Sequence, residues 1–189
     1  MSDTVTERVE TDRPTLRLAR PDDRASLEAL VERSVRDLGR GYYTPAQIES
    51  SLKYIFGIDG TLIADGTYFV VELAGQPAGC GGWSYRRTLF GGDQFSDRSP
   101  APLDPAVDAA KIRAFFVDPA FARRGIGRML MQASEQAARA AGFRVLELMA
   151  TLPGVPLYQA LGFTATGALD KPVPDGTTIP FVPMRKQLG

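Results

Sequence analysis

Histidine is absent from all 189 residues. Without an imidazole there is no Ser-His-Asp or Cys-His relay to activate a nucleophile, and no His-ligated zinc or haem site. Cysteine is nearly absent, and the single Cys80 cannot close a disulfide within the chain. Charge of one sign is not in excess: Lys plus Arg and Asp plus Glu stand at 22 each, so no overall field draws the chain to nucleic acid or to an anionic membrane surface. No apolar run approaches the roughly 20 residues that span a bilayer. The acids are scattered, with no Asp-x-Asp-x-Asp cluster for a carboxylate-only metal site. These absences lead us to expect a cytoplasmic protein that binds neither nucleic acid nor membrane and holds no metal.

What is present suits one compact domain, since 44% of the residues are hydrophobic and the length is short for two cores. Residues 1–13 are acidic-polar, without the basic start and apolar stretch of a signal peptide, and are expected to be a flexible lead-in to a single domain over 14–189.

Periodicity then orders the elements. Thr15 to Ala19 reads as a strand running through Pro21-Asp22-Asp23 into an Asp-capped helix with Leu27, Leu30, Val31 and Val35 on one stripe, closed by Gly39-Arg40-Gly41. Thr44-Pro45 opens a second helix through Ile48 and Leu52. Thr67 to Leu73 and Ala78 to Tyr85 form a hairpin about Ala74-Gly75-Gln76. From Arg86 to Asp108 the chemistry is that of a long loop, longer than most connections and expected to be functional. Lys111 to Val117 is a strand, followed by a helix with Ile126, Met129, Leu130, Ala133, Ala137 and Ala140 inward and Gly142 as its stop; Phe143 to Met149 returns as a strand parallel to the first. A short helix from Val155 to Leu161 and two closing strands, near Phe163 to Gly167 and Pro180 to Arg185, finish the chain.

The chemistry concentrates where strand turns into helix. Ala122-Arg123-Arg124-Gly125-Ile126-Gly127-Arg128 places unpaired backbone N–H groups at a positive dipole end, a cradle for a diphosphate, with arginines at its rim. Taken alone, a tight turn at a basic helix start reads the same way. A Rossmann fingerprint would need a glycine at Leu130, and a P-loop would need a Gly-Lys pair that the chain lacks. The segment resembles the acyl-CoA motif of the GNAT superfamily, Arg/Gln-x-x-Gly-x-Gly/Ala after a strand ending in Val-x-Pro. Val117-Asp118-Pro119 supplies the lead-in, while Ala122 stands at the Arg/Gln position. Downstream, Tyr158-Gln159-Ala160-Leu161-Gly162-Phe163 resembles the family's Tyr-x-x-x-Gly-Phe, in the right order and separation.

This resemblance, strongest from Ile112 to Phe163, implies a mixed α/β (α+β) fold with a mostly antiparallel sheet splayed between its fourth and fifth strands and flanked by helices. It implies acetyl-CoA as cosubstrate, its pyrophosphate held by Arg123, Arg124, Gly125, Ile126, Gly127 and Arg128 and its pantetheine paired with main chain at Phe115 and Val117. A backbone N–H at the splay would polarise the acetyl carbonyl, and Tyr158 would be the general acid for the thiolate; read alone, Tyr158 could equally be a core aromatic. The acceptor would be an amine of a small molecule or peptide, and a homodimer is left open. A domain that holds acyl-CoA as a sensor without turnover would carry the same cradle; retention of Tyr158 speaks for the transferase. Glu72, Glu147 and Asp93 are acids to inspect as a base. Tyr42, Tyr43, Trp83 and Phe115 are aromatics that could wall the acceptor, and Arg86-Arg87 could meet an acidic group on it. With no histidine to activate it, Cys80 reads as a small buried strand residue.

Overall fold

The computed structural model describes residues 13–189, so all but the last residue of the expected lead-in lies outside the described residues. Among the described residues eight strands form a single sheet in the order β1-β2-β3-β4-β5-β8-β6, with β7 also paired to β8. They are β1 Thr15–Leu18, β2 Tyr68–Leu73, β3 Gln76–Ser84, β4 Ala110–Val117, β5 Val145–Thr151, β6 Thr164–Ala165, β7 Leu169–Pro172 and β8 Thr178–Gln187. Every pairing is antiparallel except β4 with β5. The helices are α1 Arg24–Gly39, α2 Pro45–Tyr54, α3 Gly60–Ala64, α4 Ile126–Ala140 and α5 Val155–Ala160.

Local chemistry explains most of these boundaries. At α2, Thr44 accepts from the Gln47 N–H while the Gln47 side chain reaches back to the Thr44 N–H, a capping box with Pro45 at the first helical position. The expected Asp cap of α1 is displaced: Asp23 accepts from the Arg20 N–H at 2.7 Å across a short 3-10 turn, Pro21–Asp23, and holds Arg17 at 2.7 Å. α4 packs on one face of the sheet, where Ile126 and Leu130 meet Val71 and Leu73. On the other face Leu27 and Leu30 of α1 and Leu62 of α3 cover Tyr68, Val70 and Cys80. The buried stripe of α4 includes Leu130, Met131, Ser134 and Ala138, while Ala140 is exposed. The helix is thus rotated from the expected stripe, because small Ser134 fits an interior position that a search for apolar letters passes over.

Three elements differ from expectation. α3 is a further helix, capped by Asp59, whose carboxylate accepts from the Thr61 N–H at 3.0 Å. The chain also closes with three strands, since Gly176, at φ +85°, turns β7 into β8. Finally, the stretch between Ser84 and Ala110 is no slack connection: Arg87 donates to Ala101 at 2.9 Å and Leu103 to Tyr85 at 2.7 Å, folding it into an irregular hairpin. No helix among the described residues is long and apolar enough to cross a membrane.

Candidate active site

β4 and β5 share only two residue pairs, Ala110 with Leu146 and Lys111 with Glu147. From Ile112 onward the edge of β4 that faces β5 has no strand partner among the described residues, while β5 stays paired with β8 along its whole length. The sheet therefore opens into a cleft lined from both of its faces. Ile112, Phe115, Leu148 and Tyr158 line it on the α4 side; Phe56, Phe90, Phe116, Met149 and Phe181 line it on the opposite side.

A bulge shapes β4 at this opening. Gly79 pairs with Val117 and Cys80 with Phe116, but Gly82 pairs with Arg113, so Gly81 opposes both Ala114 and Phe115. Ala114 takes up the extra residue at φ +53°, rare outside glycine. Its carbonyl accepts a 2.9 Å hydrogen bond from the buried Tyr68 hydroxyl. The Phe115 ring then lies over Gly81, where a Cβ would stand 2.4 Å from it.

Beyond β4, Asp118 is buried, accepts from the Ala120 N–H at 3.0 Å and pairs with Arg33 at 2.6 Å, fixing the turn that leads to α4. Gly125 is the N-cap residue of α4 in the left-handed region, φ +81°, and Arg123 precedes it at φ +66°. A Cβ on Gly125 would meet nothing within 4 Å, so the space before the first-turn N–H groups is open to a ligand, as a phosphate cradle requires. At Gly127 a Cβ would fall 2.8 Å from Leu157, the neighbour of Tyr158, so its smallness also lets α4 pack against α5. Arg123, Arg124, Gly125 and Arg128 are exposed at the rim, the Ile126 side chain is in the core, and Phe115 and Val117 are half-buried.

The spacing Tyr-x-x-x-Gly-Phe has a mechanical origin. The Gly162 N–H donates to Gln159 and the Phe163 N–H to Tyr158, both at 3.0 Å, with Gly162 at φ +88°: a Schellman cap that folds Phe163 back onto Tyr158. The Tyr158 ring meets Phe163 edge-on at 5.9 Å and Phe115 at 6.5 Å. Burial pushes the Tyr158 phenol above its ordinary range, so it stays protonated.

The three acids considered as bases are all engaged elsewhere. Glu72 pairs with Arg17 at 2.7 Å, Asp93 with Arg24 at 2.9 Å, and Glu147 with Lys111 at 2.6 Å and Arg185 at 2.7 Å. Among the described residues no carboxylate lines the cleft. Arg86 is held by Asp65 at 2.7 Å, and Arg87 is exposed. Of the four candidate wall aromatics, Phe115 lines the cleft. Trp83 packs in the α4-side core against Phe143, Tyr42 is exposed, and the Tyr43 hydroxyl is spent between the Pro180 carbonyl and the Leu152 N–H, each at 2.9 Å. Cys80 is fully buried, its thiol pushed up to about 12 by desolvation. The wall that sequence reading missed, Phe56, Phe90, Phe116 and Phe181, comes from four separate segments, and no local pattern joins them.

Comparison with known proteins bears on this geometry. No protein of curated function matches the chain. Among solved structures, a GCN5-related N-acetyltransferase from Rhodopseudomonas palustris has the same fold, with a TM-score of 0.70 at 21% identity over 94% of this chain and 98% of that one. The PaiA N-acetyltransferase of Thermoplasma acidophilum, solved in complex with coenzyme A, gives 0.62 at 12% identity over 93% and 99%. A putative acetyltransferase from Salmonella typhimurium, solved with its cofactor acetyl-CoA, gives 0.61 at 20% identity over 93% and 94%. The family model for the acetyltransferase (GNAT) family matches residues 30–163, which contain α4, the opened edge of β4 and Tyr158. With a match over most of its length and a sheet broken at the fourth and fifth strands, the chain belongs to the acetyltransferase (GNAT) family.

Proposed function

We propose that this protein transfers an acetyl group from acetyl-CoA to a primary amine by direct attack, within a single domain over 14–189, with Tyr158 as general acid. The observation that carries this reading is the break in the sheet, which leaves one edge of β4 free beside Tyr158 and upstream of the open N-terminal turn of α4. Acetyl-CoA, when bound, supplies a thioester whose acyl carbon is open to an amine. Main-chain N–H groups of Gly125, Ile126, Gly127 and Arg128 would hold the pyrophosphate, and the Arg123, Arg124 and Arg128 side chains would add charge at the rim. Main-chain groups of Phe115 and Val117 would pair with pantetheine as a neighbouring strand would.

The remaining steps belong to the cleft. A backbone N–H of the β4 bulge would polarise the acyl carbonyl. The amine nitrogen forms the new C–N bond as the C–S bond breaks; the electron pair leaves on sulfur and takes the phenol proton of Tyr158. The proton lost by the amine passes to water, and water returns one to the Tyr158 phenolate. Titration calorimetry with acetyl-CoA, followed by thiol release with a panel of amines, tests the reading. Saturable binding and amine-dependent release are expected. Binding without release for any amine would make the protein a sensor, and no binding would overturn the proposal.

A further inference from the structure

The transferase reading leaves the acceptor unnamed, and the far wall of the cleft bears on it. We infer that the acceptor is a small, weakly basic primary amine on an aromatic body, with no second positive charge; this rests on the transferase reading of the same cleft. Four phenylalanines from four segments meet there. Phe56 stands edge-on to Phe116 and to Phe181, each at 5.9 Å, and Phe90 packs on Phe181 at 5.4 Å. Met149 completes an apolar surface suited to a ring.

The ionisable residues of the lining are Arg113 and Tyr158. Arg113 is buried, with its Nη2 2.7 Å from Asp59 and donating to the Gly91 carbonyl at 2.5 Å; Asp59, wholly buried, is shared with Arg98 at 2.7 Å. Asp93 nearby is paired with Arg24. Among the described residues no carboxylate is thus turned to the cleft to receive an ammonium, and phenylalanine faces offset only a small part of its desolvation beside a guanidinium. An acceptor with a second amine is disfavoured on that ground.

Basicity follows from the same lining. Without a carboxylate to take the proton, the amine must arrive as free base. At pH 7.5 an α-amine is about one third free base, whereas a lysine-type amine is about one part in a thousand. Size is set by the wall itself, for the segment carrying Phe90 is strapped to β7: Lys171 pairs with Asp97, its ammonium lies 5.3 Å from the Phe95 ring, and Phe95 packs with Val173 and Ile179.

The test uses the full chain, with acetyl-CoA affinity measured first, and compares thiol release for phenylalaninamide, alaninamide, spermidine and Nα-acetyl-lysinamide. Phenylalaninamide should exceed alaninamide in kcat/KM by about tenfold, the value of one well-packed ring, and the two strongly basic amines by at least about a hundredfold. Phe90→Ala should bring phenylalaninamide down to the level of alaninamide through KM, with retained acetyl-CoA affinity showing that the variant is folded. Equal rates for alaninamide, better rates for spermidine or Nα-acetyl-lysinamide, or acetyl-CoA binding with no turnover of phenylalaninamide would each overturn the acceptor assignment. Absence of acetyl-CoA binding would instead overturn the transferase reading beneath it.

Discussion

The Tyr68 hydroxyl on β2 reaches past β3 to donate to the Ala114 carbonyl on β4 at 2.9 Å. It does so on the face where Cys80 is the small β3 neighbour, and it holds the one residue of β4 that stands at positive φ. Because the peptide unit is planar, fixing the Ala114 carbonyl also fixes the direction of the Phe115 N–H. Tyr68→Phe should remove about 1 kcal/mol of stability. It should also lower kcat about tenfold with little change in the KM for acetyl-CoA, as expected for a group that positions the bulge. A lower melting temperature with unchanged kcat would assign the bond to the fold alone.

Gly125 separates backbone strain from occlusion. Its φ of +81° makes any side chain cost about 1–2 kcal/mol, or a few degrees of melting temperature for a chain of this length, yet its surroundings are open. Gly125→Ala should therefore lose affinity for acetyl-CoA modestly, whereas Gly125→Glu, with a like charge before the phosphates, should lose it by at least about a hundredfold. Calorimetry on both variants decides, and wild-type affinity in Gly125→Glu would remove the cradle from this position.

Tyr158→Phe keeps the ring that packs on Phe115 and Phe163 and deletes only the proton. Turnover should fall by about 100-fold while acetyl-CoA affinity changes little. Rapid-quench measurement of the chemical step is the readout; an unchanged step would take Tyr158 out of the acid role.

Stability should be level around neutrality, since the chain has no histidine to titrate there. On the alkaline side burial raises four acids: Cys80 and Tyr43 are pushed up to about 12, and Tyr68 and Tyr158 also move upward. Each favours its neutral form in the fold, so its contribution is complete below the ordinary value near 9 or 10 and is lost as pH rises toward the raised one. On the acid side Arg17 lowers Asp23 and Arg86 lowers Asp65, so their contributions are lost as pH falls below about 4. Thermal melts from pH 3 to 11 should trace a plateau with a fall at each end; a slope between pH 6 and 8 would contradict this.

The legibility of the sequence followed the range of the forces involved. β4 and α4 could be read because their signals lie within a few residues, alternation and a helical stripe, whereas the cap after Tyr158 was met only as the family's Tyr-x-x-x-Gly-Phe spacing. The bulge at Ala114 could not be read, because nothing in Lys111 to Val117 distinguishes that alanine; its conformation depends on Tyr68 from another strand. α3 was missed because five residues give no period, and Asp59 serves as both its cap and the partner of Arg98 and Arg113. The contact of Gly127 with Leu157 was also out of reach, since only packing brings the two helices together.

The two pairs that join β4 to β5 have a mechanical meaning. Lys111 and Glu147, 2.6 Å apart at the last shared pair, close the junction between β1–β4 on one side and β5–β8 on the other. Whatever lies along the free edge of β4 supplies rungs that the sheet itself omits. Occupancy and stability are then linked: a ligand at a hundred times its dissociation constant adds about 2.7 kcal/mol to the folded state.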